Sequence, residues 1–503
     1  MTVRSVGIDL SLTGMHQAEA IDLEGNRCGH LKFRTTPEGL DSLVNLCFGD
    51  GSLPIIVLEP TGLAWLPIVL FVRARCPQAV LVRAKQQKAA ALRRVLREHA
   101  KSDRIDALTL ARLPWVDPEH LEPLAFSSPD MQRLDRFTRR RDRLAAAVAS
   151  RKTRISALLL GLFPGLWECF EDPWNPRARW IYRHRLNPFR LTRTSQGQLN
   201  TIFTRVTPRS SSAIIQREST ALLVTAKHLG AVYKPARDAA LATDLLFRTW
   251  QQEISAELDL LEAEEAQMAK LEEEISALYR LLHPQDHLRT IPGVGPRIAP
   301  LLLAAIGDAG RFHSAKAFCQ WTGVLPRSHQ SSNTQRLGLG MGKAGPARVK
   351  RALYQAAQYA RRWDPELAAL YHRQMVDYGK THKQAMGAVM SHLATRVYTV
   401  LKEQRPYQIR DFQGQPLTRT QAGQIVRECL RVPEEVRRLR RHRHRPTKKS
   451  IRQEAIHAEV GRWEGSTPYE AADTPQQGIP VPSHPKLEDN TAFQSVQELA
   501  QVS

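Results

Sequence analysis

Two short apolar runs, each closed by a carboxylate, set the strongest limit on what this chain can fold into. They are VGIDLS around Asp9 and PIIVLEPTG around Glu59. Apolar runs of this length, bounded by turn residues, read as buried strands. Residues 4–11, 16–22 and 28–35 form a predicted three-strand series, broken by turn signals at Thr13-Gly14 and Glu24-Gly25-Asn26. Pro54–Leu58 and Ala79–Arg83 are further buried strands, with helices expected near 38–48 and over Leu63–Arg75. A long basic helix over 86–97 and another over 102–112 complete the segment. Three strands in a meander, followed by alternating helix and strand, imply a mixed sheet with helices on its faces.

That order is the order of a ribonuclease-H-like domain, expected over 1–115. Asp9 then lies on the central first strand and Glu59 ends the adjoining fourth. Asp103 and Asp106, in KSDRIDALTLARL, stand at i and i+3 and share one helix face. Carboxylates brought together in this way supply the hard oxygen ligands that Mg²⁺, or Mn²⁺ in its place, prefers. Two such ions hold the attacking and leaving oxygens of a phosphodiester during in-line displacement. Taken singly, each residue has a plainer reading. Asp9 could cap a turn, Glu59 could end a strand, and Asp103 could be a charge favoured by a helix N-terminus. The four together, at strand ends and on one helical turn, favour the metal site.

The rest of the composition points the same way. The net charge of +22 over 503 residues favours a polyanionic partner, and the length asks for about three domains. Six well-separated cysteines without a CxxC pair speak against a zinc module or a disulfide framework and fit a reducing cytoplasm. No apolar run approaches membrane-spanning length, and MTVRSVGIDL lacks the form of a signal peptide.

A helical middle is expected over 116–285. From Met131, Phe137, Leu144, Val148, Ile155, Leu158 and Leu162 follow a helical seam on an Arg-rich segment. A second seam, Ile254, Leu258, Leu261, Met268, Leu271, Ile275, Leu278 and Leu282, lies on an acidic helix over about 240–282. Opposite charges predict an antiparallel coiled-coil arm, or complementary arms between protomers. The intervening 167–235 reads as a small aromatic and Arg-rich helical insert without a catalytic motif.

A mainly helical domain follows over 286–404. Gly293 and Gly295 in IPGVGP could bring backbone close to a phosphate, as in a helix-hairpin-helix element, or could simply join two helices. The segment FCQWTGVLPRSHQSSNTQRLGLGMGKAGPARVKRAL is polar, Gly-rich and basic, with hydroxyls at Ser328, Ser331, Ser332 and Thr334. A serine placed by a metal or a base can attack phosphorus, although loop serines seldom do. Helices are expected over 347–361, 364–377 and 381–403. Residues 427–452 carry eleven Lys or Arg against three acids, and 453–503 carry eight acids against two bases. The whole of 405–503 therefore reads as a basic, then acidic, largely disordered tail.

With KSDRIDA and GVLPRSHQSS in place, the chain resembles the DEDD transposases of the insertion-sequence-one-hundred-and-ten family and the related Piv-type DNA invertases. The resemblance covers 5–115 and 286–360 closely and the helical middle loosely. It implies that Asp9, Glu59, Asp103 and Asp106 hold divalent metal and that Ser331 is the nucleophile that joins DNA transiently to the protein. It further implies donor and target DNA as substrates, a structured guide RNA, and a dimer or tetramer whose active sites are shared between protomers. A prokaryotic, nucleoid-associated cytoplasmic location goes with it. Two positions depart from the family pattern: Ser332 stands where Gly is usual, making it a rival nucleophile, and Pro346 stands where Asn is usual. Two other functions compete, a Holliday-junction-resolvase-like metal nuclease that uses water, and a non-catalytic nucleic-acid-binding protein. A covalent protein–DNA product separates the first reading from the second, and metal-dependent cleavage separates both from the third.

Overall fold

The computed structural model describes residues 3–48, 51, 53–59, 62–84, 91–92, 102–118, 121–124, 128–325, 329–331, 334–336, 341–342 and 345–441. The chain divides after residue 126 into two units.

In the first unit β1 (Val3–Asp9), β2 (His16–Ile21) and β3 (Arg27–Phe33) form an antiparallel meander. Helix α1 (Pro37–Phe48) leads to β4 (Leu53–Leu58), which pairs parallel to β1. Helix α2 (Trp65–Arg75) leads to β5 (Val80–Arg83), parallel to β4. Helix α3 (Asp103–Val116) and the two-residue strand β6 (Glu122–Pro123) complete a mixed sheet of order β3-β2-β1-β4-β5-β6. The basic helix expected over 86–97 lies almost wholly outside the described residues.

Strand alternation sorts the core into two layers. On one face Val6, Ile8, Ile56 and Leu58 pack with Leu40 and Leu43 of α1 and Ile68 and Val72 of α2. On the other, Ile55, Val57, Val80 and Val82 pack with Leu110 and Leu113 of α3. Ser102 caps α3 by accepting a hydrogen bond from the Ile105 N–H at 3.3 Å, and Asp103 and Asp106 fall in its first turn, where the helix dipole favours negative charge.

Among the described residues the second unit is helical apart from one hairpin and an isolated bridge between Arg410 and Pro416. The helix α4 (Pro129–Leu162) starts with Ser128 as N-cap and Pro129 at the first helical position. The insert follows, with α5 (Pro176–His184), α6 (Gln196–Val206) and α7 (Ser212–Asp238), and then the long helix α8 (Thr243–Leu282). Helices α4 and α8 run antiparallel within the chain. Arg141 meets Glu272 at 2.9 Å, Arg151 meets Glu264 at 2.8 Å and Glu257 at 2.7 Å, and Arg154 meets Glu257 at 3.2 Å. The opposite charges of the two helices are thus matched inside one protomer. The buried seam is close to the expected one but shifted: Leu134 and Leu159 are buried, while Phe137, Leu144 and Leu158 are only partly so. Each end of the pair enters a different core. Ile155, Leu159 and Leu162 pack with the insert, and Leu134 packs with the helices that follow α8.

Those helices are α9 (Ile298–Ile306), α10 (Ala315–Thr322), α11 (Ala347–Ala360), α12 (Pro365–Met375) and α13 (His382–Glu403). Gly293 is used inside the fold. Its φ is 87°, and a Cβ there would lie 2.2 Å from the Ala356 carbonyl oxygen of α11, so its lack of a side chain lets the IPGVGP turn rest on that helix. The beginning of the expected tail is folded as well. Helices α14 (Arg419–Cys429) and α15 (Glu434–Arg441) follow α13, Ala422 and Val432 are buried, and the Tyr407 hydroxyl donates to buried Asp364 at 2.7 Å. These few apolar and aromatic anchors outweigh the surrounding charge. Residues 442–503 lie outside the described residues.

Candidate active site

Helix α3 lies directly on β1 because two residues of the strand yield to it. Ser5 donates from Oγ to the Ala111 carbonyl at 2.6 Å. Two residues on, Gly7 faces Ala107, where a Cβ would fall 2.1 Å from the carbonyl oxygen. Two strand residues advance about 6.6 Å and four helical residues about 6.0 Å, so strand and helix stay in step, running in opposite directions. The next pair in this series is Asp9 with Asp103. The parallel register of β1 and β4 sets Ser5 beside Ile55 and Gly7 beside Val57, and continuing it by two sets Asp9 beside Glu59. The four predicted carboxylates therefore belong to one edge of the sheet, on the face covered by α3. Asp9, Glu59 and Asp106 are half-buried and Asp103 is exposed.

The donor set suits a hard divalent cation, being all carboxylate and all at one sheet edge. Among the described residues, no three Asp, Glu, His or Cys side chains close to the spacing of a coordination sphere. Bringing four carboxylates to that spacing raises like-charge repulsion, which a bound cation offsets.

A fifth acid escaped the sequence reading. Glu19 of β2 pairs in register with Gly7, and its side chain is 1% exposed. Arg104, between Asp103 and Asp106, donates from Nε to Glu19 Oε1 at 2.5 Å. Oε2 of Glu19 is buried without a hydrogen-bond donor among the described residues. The available signal was an acid in the otherwise small and apolar AEAI run of a central strand. Its ion pair ties the first turn of α3 to the sheet. The chain leaving Asp9 is fixed in turn by the Ser11 N–H, which donates to His16 Nδ1 at 3.1 Å, while His16 Nε2 pairs with Thr35 Oγ1 at 2.8 Å. Burial pushes the His16 pKa down, which keeps Nδ1 free to accept.

The serine segment contains an antiparallel hairpin that was expected as loop. Strand β7 (His329–Ser331) pairs with β8 (Thr334–Arg336), with His329 opposite Arg336 and Ser331 opposite Thr334. Ser331 is the last paired residue of its strand; Ser328, Ser332, Arg327 and Lys343 lie outside the described residues. The segment leaves α10 at Gly323 in the left-handed conformation and returns at Gly345, whose φ is 84°. A Cβ at Gly345 would lie 2.4 Å from the Trp321 carbonyl oxygen, so the two ends of the segment are held against each other. Pro346 occupies the N-cap of α11 and offers no side-chain cap. Two of the segment's basic residues are engaged inside the fold. Arg348 is almost buried, 2.6 Å from Asp135 of α4 and 2.6 Å from Thr138 Oγ1, and Lys350 donates to the Gly342 carbonyl at 2.7 Å. Arg351 is exposed.

Two family profiles match the chain. One, described as a transposase and of the DEDD IS110 type, matches residues 6–164. The other, described as the transposase IS116/IS110/IS902 family, matches residues 285–372. The chain is 34% identical over 136 residues to the pilin gene-inverting protein of Moraxella bovis, covering 27% of this chain and 42% of that protein. It is 24% identical over 361 residues to the insertion element IS110 43.6 kDa protein of Streptomyces coelicolor, covering 72% of this chain and 84% of the other. It is 32% identical over 100 residues to the transposase for insertion sequence element IS1111A of Coxiella burnetii, covering 20% and 27%. The match to the pilin gene-inverting proteins of Moraxella bovis and Moraxella lacunata spans about two fifths of their length. The carboxylates fall inside one matched segment and the serine hairpin inside the other, so the chain is similar to IS110-type transposases in both segments.

Proposed function

We propose that this protein is a metal-dependent DNA transposase that moves an insertion sequence by cutting and rejoining DNA. The observation that supports the reading is the stepwise register of α3 on β1 and of β1 beside β4, whose continuation would bring Asp9, Glu59, Asp103 and Asp106 to one sheet edge. The strand order, an antiparallel meander followed by parallel β4 and β5, supports a ribonuclease-H-like domain over 1–115. The helical arm and insert then make up 116–285, and the serine-bearing transposase domain 286–404.

The four carboxylates would hold Mg²⁺ or Mn²⁺, which when bound would neutralise charge building on the phosphate oxygens. Ser331 supplies the nucleophile. Its oxygen forms a bond to a backbone phosphorus, the serine proton passes to a base, and the bond from phosphorus to a sugar oxygen breaks. The leaving oxygen takes up a proton as a sugar hydroxyl. Attack by the hydroxyl of another strand reverses the exchange and seals new DNA, and one ester replaces another at each step, so no external energy source is required. Glu19 and Arg104 orient the first turn of α3 without touching substrate. The protein works in the prokaryotic cytoplasm as a homo-oligomer on donor and target DNA.

A structured guide RNA chooses the sites in this reading. Base pairing would supply sequence and the protein geometry, as in other RNA-guided effectors. The net charge of +22 supports such a partner through its backbone. The protein purified from its native host should carry a structured RNA of defined sequence, and recombination should stop on its removal. Site-specific recombination by RNA-free protein would refute the guide and favour direct reading of DNA. Cleavage without any covalent protein–DNA product would instead favour a nuclease that uses water.

A further inference from the structure

The insert sorts its arginines into two sets. Between Pro173 and Arg217 the sequence holds nine arginines and no acidic residue. Four of the nine meet carboxylates that lie outside that stretch. Arg177 pairs with Glu218 at 2.7 Å, Arg179 with Glu265 at 2.8 Å, Arg217 with Glu171 at 3.0 Å, and Arg183 with Asp259. Arg185, Arg190, Arg193, Arg205 and Arg209 make no ion pair among the described residues.

Three of this second set share one open groove. Arg185, Arg190 and Arg193 line it together with Ser195, Gln198 and Thr201. Arg185 is half-buried, its guanidinium donating to the His184 carbonyl at 3.1 Å and lying 5.7 Å from the centre of the Trp180 ring, while Arg190 and Arg193 are exposed. Three guanidiniums held close without a carboxylate repel one another, and a polyanion relieves that repulsion. Hydroxyl and amide side chains beside them are further donors of the kind that bind phosphate oxygens. No aromatic ring lines the groove, so it has no platform on which unpaired bases could stack. The insert also falls between the two family-matched segments, 6–164 and 285–372.

We propose that this groove grips the phosphodiester backbone of double-stranded DNA, as a sequence-independent hold carried by the insert. The proposal rests on the reading of the chain as a DNA transposase, but its test reads binding alone. The full chain carrying Arg185→Ala, Arg190→Ala and Arg193→Ala is compared with a control of equal charge loss, Lys227→Ala, Lys234→Ala and Arg248→Ala, three exposed cations that do not line the groove. Affinity for a random-sequence DNA duplex is measured by fluorescence anisotropy across a salt series. Each phosphate contact contributes about 0.9 to the slope of log affinity against log salt, so the groove variant should lose about 2 to 3 in slope, and the control well under half of that. Equal loss in both variants overturns the proposal, as does a loss confined to duplex RNA. Failure of the transposase reading shows separately, as recombination that survives Asp106→Asn.

Discussion

Gly7 of β1 lies directly against the Ala107 carbonyl of α3, with only 2.1 Å to the point a Cβ would occupy. The contact is backbone to backbone, so no rotamer change relieves a methyl placed there. Gly7→Ala should therefore push α3 off the sheet and destabilise the first unit by about 3 kcal/mol or more, at the upper end of overpacking costs. Chemical denaturation of the full chain checks this, and a midpoint unchanged from the parent would show that the contact is not tight. Because the same contact sets the height of Asp103 and Asp106, cleavage should fall further than stability alone explains.

Replacing a ligand carboxylate by its amide keeps shape and removes charge. Asp9→Asn and Asp106→Asn should each lower strand cleavage by about a thousandfold, the scale of a few kcal/mol of lost transition-state stabilisation. DNA binding should stay within about threefold of the parent, or about 0.7 kcal/mol. Full recombination by either variant in a plasmid assay would remove these residues from the site.

Ser331 ends β7, opposite Thr334, at the tip of the hairpin. Ser331→Ala should eliminate a covalent protein–DNA adduct, and Ser332→Ala should only weaken it. Peptide mapping of a trapped adduct decides between them, and an adduct on Ser332 would transfer the nucleophile by one residue.

The pair Arg177–Glu218 is buried, with side chains 7% and 1% exposed. Arg177 also donates to Thr207 Oγ1 and Ser210 Oγ at 2.7 Å each. Arg177→Met should cost about 3 to 5 kcal/mol, since Glu218 is left charged and unpaired. Adding Glu218→Leu should recover most of that loss. A double variant no more stable than the single one in urea titration would contradict the argument.

His16 accepts the Ser11 N–H only while neutral, and burial lowers its pKa from the ordinary 6.5. The stability it carries is complete above 6.5 and is lost as pH falls below that, through the lowered folded value. His16→Gln keeps an acceptor without a titrating ring. Its melting temperature should drop less between neutral and mildly acidic pH than that of the parent, and an equal drop would exclude His16 as the cause.

The elements that carry the four carboxylates were legible because each had its own pattern: apolar runs for β1 and β4, and an acidic first turn for α3. Periodicity likewise located α4, α8, α11, α12 and α13 to within a few residues. The β7–β8 hairpin was not legible, since HQSSNTQR has no apolar alternation. Gly293 left phosphate contact and a plain helix connection both open because a sequence shows that a glycine permits close approach but not what approaches. Glu19 was hidden because its partner, Arg104, is 85 residues away. The folded start of the tail was hidden because single residues such as Val432 and Tyr407 anchor it among many charges.

Gly345 resting on Trp321 makes residues 324–344 a ring closed at its base. Closing a ring costs an entropy that grows only with the logarithm of its length, about 0.6 kcal/mol for each doubling. Residues can thus be added to or removed from this span at small energetic cost, while a side chain at position 345 opens the base. Length in this span can change at little cost, whereas a side chain at its junction cannot be added without opening it.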